Sequence, residues 1–402
     1  MKKLKILYFT QFYYPENIAA SFRATEHSKV WKKDGNEVTI FTTYPNYPTG
    51  KILNGYKNKL LSIEKIDEVK VIRSKIIAKS NKSFFSRLQN ALSYFFFGIF
   101  NIIFNLKKIG KDFDIILGTS GSIFNGILAW IFSVLHNVPF IFEIRDITYI
   151  QMLAVKQKNS IFIKSMKKLE LFLCKKSKKV IVVTEGFKEV LISEGIEKKK
   201  IFVITNGVDV SRKVKLEKLE KLVISYFGTL GISQNISQII GYIDFLKNSI
   251  EKLECLIIGE GAEKERIKEN IKAKKYIKIL DGMPLNKLEK YYKITLLSIV
   301  TLKNSENFKY TIPSKLFQIM GRGIAVLYIG PEGEASNIIK KYNCGISLTQ
   351  DIYKNIKILE EFFSEANWKE KLVVMGENGR KAIIERYSRE KLAKEYITIL
   401  NK

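Results

Sequence analysis

A chain of 402 residues with 46% hydrophobic and 12% aromatic content is long enough for two domains with full cores, and it is neither disordered nor fibrous. Its three cysteines (Cys174, Cys255, Cys344) lie too far apart for a disulfide framework or a metal-ligand cluster, which suits a reducing compartment, and only two histidines (His27, His136) leave nothing for a His-rich zinc site and argue against a Ser-His-Asp triad. The net charge of +28 is uneven, with 34 basic against 16 acidic residues in 1–205 and 34 against 24 in 206–402; it points to anionic partners, and without a zinc finger or an RNA-binding aromatic/Gly signature these are expected to be a membrane surface or phosphorylated substrates, not nucleic acid.

Taken in order, the chain alternates strand-like and helix-like segments, the pattern of parallel sheets with crossover helices. Lys2, Lys3 and Lys5 precede an apolar run too short for a signal peptide, so Ile6–Thr10 reads as a first buried strand. A helix over Ser21–Asp34 capped by Gly35, a strand over Glu37–Thr42 and a Pro/Gly-rich loop from Tyr44 to Lys51 follow. Val69–Arg73 is a third strand. Ala91–Leu106, ALSYFFFGIFNIIFNL, is too short and too polar to span a membrane. Its flanks hold Lys82, Arg87, Lys107, Lys108 and Lys111, so it reads either as an interfacial helix on anionic lipid or as a helix packed on a sheet. Strands Ile115–Gly118 and Pro139–Glu143, the second leading into Arg145-Asp146, flank a helix over Ile123–Leu135. Ile161–Lys175 is a basic amphipathic helix, and Val180–Val183 and Ile201–Ile204 complete the first half.

The polar stretch from Thr205 to Lys221 is the best boundary, giving domains 1–205 and 206–387. A second α/β series runs through Leu222–Phe227, the loop Gly228-Thr229-Leu230-Gly231, Leu253–Ile258, Gly259-Glu260-Gly261, Ile277–Leu280 and Leu297–Leu302. The stretch FKYTIPSKLFQIMGRGIAVLYIGPEGE, Phe308 to Glu334, sets Pro313-Ser314-Lys315 at a helix start and a Gly-rich loop after the next strand. Glycines let backbone approach a phosphate, and helix N-termini attract anions. The stretch fits a nucleotide-diphosphate cradle, or an ordinary αβ unit with a surface lysine. Gly345–Leu348 and two closing helices end the chain, the last over about Arg389–Leu400.

Over almost its whole length the chain resembles the retaining family-4 glycosyltransferases of GT-B architecture, and more narrowly their WbuB-like, L-fucosamine transferase branch. The N-terminal stretch YYPENIAASFRATEHSKVWKKDGNEVTIFTTYPNYPTGK, then FEIRD, VIVVTEG and ITNGVD, and later YFGTLG, IIGEGAEKERI and IPSKLFQIMGRGIAVL carry the likeness by order and spacing. The resemblance implies an α/β fold of two doubly wound Rossmann-like domains facing across a cleft, with the helix of about 388–402 packing back on the first. It implies a UDP-sugar, an N-acetylated amino sugar among the candidates, held by the second domain through Gly228, Thr229, Gly231, Gly259, Gly261, Ser314, Lys315, Gln318, Gly333 and Glu334. Lys315 would carry the pyrophosphate charge with help from the N–H groups of Gly333–Ala335. It implies an acceptor bound in the first domain near Glu16, Asn17, Asn46 and Tyr47, with Asp146, Arg145 and Lys315 as the catalytic candidates. By their strand-end loops, Asp146 or Glu16 reads as orienting the acceptor or as a capping or ion-paired carboxylate, and Glu332 and Glu334 as touching the donor sugar or as acidic residues at a helix N-terminus. Transfer would need no metal and no other cofactor. The acceptor would be a polyprenyl-diphosphate-linked saccharide of capsule, O-antigen or exopolysaccharide synthesis at the inner face of the cytoplasmic membrane.

Three departures stand out. Where the wider family carries two glutamates, this chain has Tyr310 and Gln318; a Gln can bond a ribose hydroxyl without charge assistance. The family's Arg/Lys pair after the first donor-domain strand is missing from FGTLGISQN, and the branch's RDLWP is here Arg145-Asp146-Ile147-Thr148. Two other functions remain open: a UDP-sugar 2-epimerase, against which the basic first half and scarce histidine argue, and a catalytically degenerate GT-B assembly partner, for which Tyr310 and Gln318 argue.

Overall fold

The computed structural model describes residues 2–402 apart from 17, 48, 80–83, 157–159, 211–213 and 218–219. The Asn17 and Lys82 readings therefore lie outside the described residues. The chain divides into two compact units, Met1–Asn206 with Arg389–Lys402, and Gly207–Ser388.

The first unit runs β1 (Lys5–Phe9), α1 (Ala19–Lys33), β2 (Glu37–Thr43), β3 (Leu61–Ile66), β4 (Val69–Ser74), α2 (Phe84–Phe104), α3 (Leu106–Ile109), β5 (Ile115–Thr119), α4 (Ile123–His136), β6 (Phe140–Ile144), α5 (Thr148–Lys156), α6 (Ile161–Lys176), β7 (Lys179–Val182), α7 (Glu185–Ser193) and β8 (Ile201–Val203). Its sheet has the order β3-β4-β2-β1-β5-β6-β7-β8, parallel except for β3. The strands are near-continuous apolar runs because helices cover both faces. The hairpin β3–β4 is absent from the sequence reading: LSIEKI alternates too weakly to stand out, and its turn is made by Asp67 and Glu68 at positive φ, where Asn-Gly would have announced it. Helices α5 and α7 also went unread.

The second unit runs β9 (Leu222–Phe227), α8 (Ser237–Ser249), β10 (Leu253–Ile258), α9 (Lys264–Ile271), β11 (Ile277–Leu280), α10 (Leu285–Ile294), β12 (Leu297–Thr301), α11 (Ser314–Arg322), β13 (Ala325–Ile329), α12 (Glu334–Tyr342), β14 (Gly345–Leu348), α13 (Ile352–Ser364) and α14 (Trp368–Ala382). Its all-parallel sheet has the order β11-β10-β9-β12-β13-β14, the doubly wound arrangement with a switch point between β9 and β12. Three closing helices, not two, follow β14, because α15 (Arg389–Asn401) comes after α13 and α14. The chain returns on α15 to the first unit, where Leu392, Ala393, Tyr396 and Ile397 join the core with Trp31, whose indole N–H donates to the Ala393 carbonyl at 2.8 Å.

Candidate functional site

In the second unit the carboxyl ends of β9, β10 and β12 bring the donor candidates together. The N–H of Gly228 donates to the Ile258 carbonyl (2.9 Å) and that of Leu230 to the Glu260 carbonyl (2.8 Å), so the loop after β9 is zipped to the loop after β10. The seam is backbone against backbone: a Cβ on Gly259 would stand 1.8 Å from the Gly228 oxygen, and one on Gly261 2.1 Å from the Leu230 oxygen. Gly228 itself has φ +134°, open to glycine alone at little cost. Among the described residues the alternate amides of the loop, Thr229 and Gly231, make no hydrogen bond, and Thr229 is exposed.

Lys315 arrives at this seam from α11. Pro313 caps the helix, Ser314 stands exposed at its first position, and Lys315 lays its alkyl chain over Gly228, where a Cβ would meet Lys315 Cε at 2.2 Å. Its Nζ donates to the Tyr226 hydroxyl at 2.5 Å and lies 4.4 Å from the centre of that ring; the Tyr226 hydroxyl donates in turn to the Thr229 carbonyl at 2.6 Å. No carboxylate pairs with this ammonium among the described residues. Burial without a counter-ion lowers the Lys315 pKa to about 8, so an arriving anion would relieve the charge. Gln318, one turn on, is half-buried and holds Arg322 through its backbone carbonyl.

The expected amide donors after β13 are not all available. Gly333 N–H donates to the Ser336 hydroxyl (2.9 Å) and Glu334 N–H to the Lys309 carbonyl (2.8 Å), so two of the three serve the start of α12. Gly333 is tight because a Cβ there would lie 2.2 Å from the Lys309 oxygen. Glu334 is half-buried on the same turn, and exposed Glu332 pairs with Lys340. The sequence reading missed Tyr226 as the partner of Lys315. Its signal was an aromatic directly before Phe227-Gly228.

In the first unit the acceptor candidates have internal duties. Glu16 is buried, and its Oε1 accepts from the amides of Asn46 and Tyr47, each at 2.9 Å; its Oε2 has no described partner. Burial raises its pKa against those amides. Asn46 is buried too, donating to the Tyr44 carbonyl at 2.9 Å. These two residues shape the loop after β2: the bonded oxygen of Glu16 faces the loop amides, and the role expected of it toward an acceptor falls to the other oxygen. Tyr47, edge-on to Phe12, is the partly exposed member.

Arg145 and Asp146 follow β6 and are pinned by the Ser120 hydroxyl, which accepts from the Arg145 amide at 2.8 Å. Burial pushes the Asp146 carboxyl up to about 6, opposed by Arg145. Behind it, Glu170 of α6 is buried, accepts from the Thr148 amide (3.2 Å) and hydroxyl (3.1 Å), and is pushed by burial up to about 7. Below lies an ion pair that sequence did not flag: Arg23 Nε to Glu143 Oε1 at 2.9 Å, with Tyr8 donating to Glu143 Oε2 at 2.9 Å. Burial opposes the Glu143 charge, but Arg23 and Arg145 outweigh it and hold the carboxyl down at about 2.

Residues 21–212 match the family model described as Glycosyltransferase Family 4, and residues 208–382 the one described as Glycosyl transferases group 1. The whole chain is 25% identical to an uncharacterized glycosyltransferase of Methanocaldococcus jannaschii, 99% of which is covered. Among solved structures, sucrose-phosphate synthase from Thermosynechococcus elongatus aligns with a TM-score of 0.73 at 12% identity over 99% of this chain and 98% of that one. Anabaena HepE in complex with UDP and glucose aligns at 0.68 and 14% identity, over 99% of this chain and 100% of its own. The likenesses in structure speak to the fold, and the two family matches, end to end from 21 to 382, to the activity class. This chain is a glycosyltransferase with the GT-B fold, built of a Family 4 domain and a group 1 domain.

Proposed function

We propose that the protein transfers a sugar from UDP, with retention and without a metal ion, to a polyprenyl-diphosphate-linked saccharide at the inner face of the cytoplasmic membrane, in capsule, O-antigen or exopolysaccharide assembly of the WbuB-like type. The observation that carries the donor half is the Lys315 ammonium, which has no acidic partner among the described residues and rests on the glycine seam at the switch point of the second sheet. HepE, of the same fold, binds UDP and glucose, which supports a nucleotide-sugar donor.

In this reading the sugar C1–O bond to UDP breaks as charge grows on the β-phosphate, and Lys315 with the Thr229 and Gly231 amides stabilises that charge. The acceptor oxygen bonds C1 on the same face, and its proton passes to the departing phosphate oxygen. Asp146, held by the Ser120 hydroxyl, orients the acceptor hydroxyl. Tyr310 and Gln318, where the resembled family has glutamates, favour one rival, a catalytically silent assembly partner.

A thermal-shift titration with UDP, GDP, UMP and ADP, with and without Mg²⁺, tests the donor half. Ligand at 100 times its dissociation constant adds about 2.7 kcal/mol. Stabilisation selective for UDP and indifferent to Mg²⁺ supports the reading; a GDP preference changes the donor; silence to every nucleotide leaves the assembly partner. UDP binding without turnover on UDP-sugars and lipid-linked acceptors likewise favours the partner, and UDP-sugar isomerisation without acceptor would favour an epimerase.

A further inference from the structure

Helix α2 mixes polar groups with Tyr94 and Ile102 on its buried side and turns an apolar stripe outward. Its buried side carries Asn90, Ser93 and Asn101, all engaged inward: Asn90 donates to the Lys79 carbonyl (3.0 Å), Ser93 accepts from the Ile77 amide (2.9 Å), and Asn101 donates to the Leu60 carbonyl (3.1 Å) and the Ser74 hydroxyl (3.0 Å). Its outward stripe, at helical spacing, is Phe96, Phe100, Ile103 and Phe104, exposed by 65, 41, 57 and 69%. A soluble surface helix turns charged and polar residues outward instead.

Helix α4 extends the stripe. Phe95 stacks on Phe124 at 5.0 Å, and three residues on, Gly98 lies so close to α4 that a Cβ would meet Leu128 at 2.7 Å. The two helices therefore advance side by side in one direction, and exposed Val134 and Leu135 end α4 beside the end of α2. At that end stand exposed Lys107, Lys108 and Lys111. No acidic residue occurs from Val69 to Lys111, nor on α4; the nearest acids, Asp112 and Asp114, are paired with Lys5 and Lys2. Among the described residues no helix is long and apolar enough to cross a membrane.

We propose that this face, the outer stripe of α2 with the end of α4 and the lysines of α3 and Lys111, docks flat on an anionic lipid bilayer. Aromatic and branched side chains would enter the headgroup boundary while the lysines meet lipid phosphates, the two signals that reversible anchoring requires. An acidic protein partner would use the lysines but not four aligned apolar groups. The proposal stands on this surface alone and is independent of the donor-site reading.

The test is co-sedimentation of the full chain with phosphatidylcholine vesicles, with and without phosphatidylglycerol, and no sugar nucleotide. Binding should favour the anionic vesicles and weaken with salt, and K107E/K108E should weaken it by at least about tenfold. F96S/F104S should abolish it while melting temperature and UDP response stay at wild-type values. Equal binding to both vesicles, no binding, or unchanged binding by F96S/F104S overturns the proposal. A stripe-dependent dimer in light scattering without vesicle binding would overturn it in favour of a second copy of the chain. Absence of vesicle binding by the unaltered chain with an intact UDP response refutes only this surface; the reverse refutes only the donor reading.

Discussion

The side chain of Lys315 lies on the Cα of Gly228, with its Nζ on the Tyr226 hydroxyl 89 residues earlier in sequence. The contact is possible because position 228 lacks a Cβ, and it leaves a half-buried cation without a carboxylate among the described residues. Such a group destabilises the empty protein and favours an anion-bound one. Lys315→Met should therefore weaken UDP binding by at least about tenfold while the unliganded protein melts at or above the wild-type temperature. Calorimetric titration beside a melting curve checks both; a fall in stability would make Lys315 a structural residue.

Gln318 lies one turn along α11 from Lys315. If its side chain meets the ribose, Gln318→Glu should tighten UDP by about fivefold, because a carboxylate accepts from a hydroxyl more strongly than an amide does. Weaker binding would place the residue nearer the phosphates, where a second negative charge repels.

The glycine seam gives a steric prediction. Gly259→Ala would set its Cβ 1.8 Å from the Gly228 oxygen, with no flexible side chain to yield. The loop after β9 must move, at a cost of about 1–3 kcal/mol in stability and with loss of UDP response. Chemical denaturation and thermal shift read the two effects.

Glu170 and Asp146 are carboxyls raised by burial, to about 7 and about 6. A raised carboxyl binds more protons in the folded state than in the unfolded one between its two pKa values, so stability falls as pH rises through that window. The protein should lose stability between about pH 4.5 and 7, Glu170 contributing on the order of 3 kcal/mol at most. Glu170→Gln should flatten the slope. An unchanged slope would mean that water reaches the carboxyl.

Glu143 has the opposite sign. Its depressed carboxyl stabilises the fold above the unfolded pKa, and that contribution is lost as pH falls from about 4.5 toward 2. Glu143→Gln leaves the guanidinium of Arg23 buried without its counter-charge and should cost about 3–5 kcal/mol by denaturant titration. A loss below 1 kcal/mol would show the pair to be replaceable.

Sequence by itself determined the two doubly wound sheets and the family likeness. Buried parallel strands are continuous apolar runs, and the turns at their carboxyl ends need glycine, so both features are local and legible. The inner and outer faces of α2 were not separable that way: Asn101 and Phe100 are neighbours in sequence, and only packing against Ser74 and Leu60 turns the amide inward and the ring out. Glu16 and Asn46 read as acceptor-side loop residues; that they are buried, with the Glu16 carboxylate accepting from the amides of the loop after β2, is decided by the fold. Lys315 was legible as a cation at a helix start, but its seat on Gly228 and Tyr226 depends on β12 lying beside β9. Strand order is a long-range choice made by the whole core, and it is strand order that turned a lysine, a tyrosine and three glycines into one place.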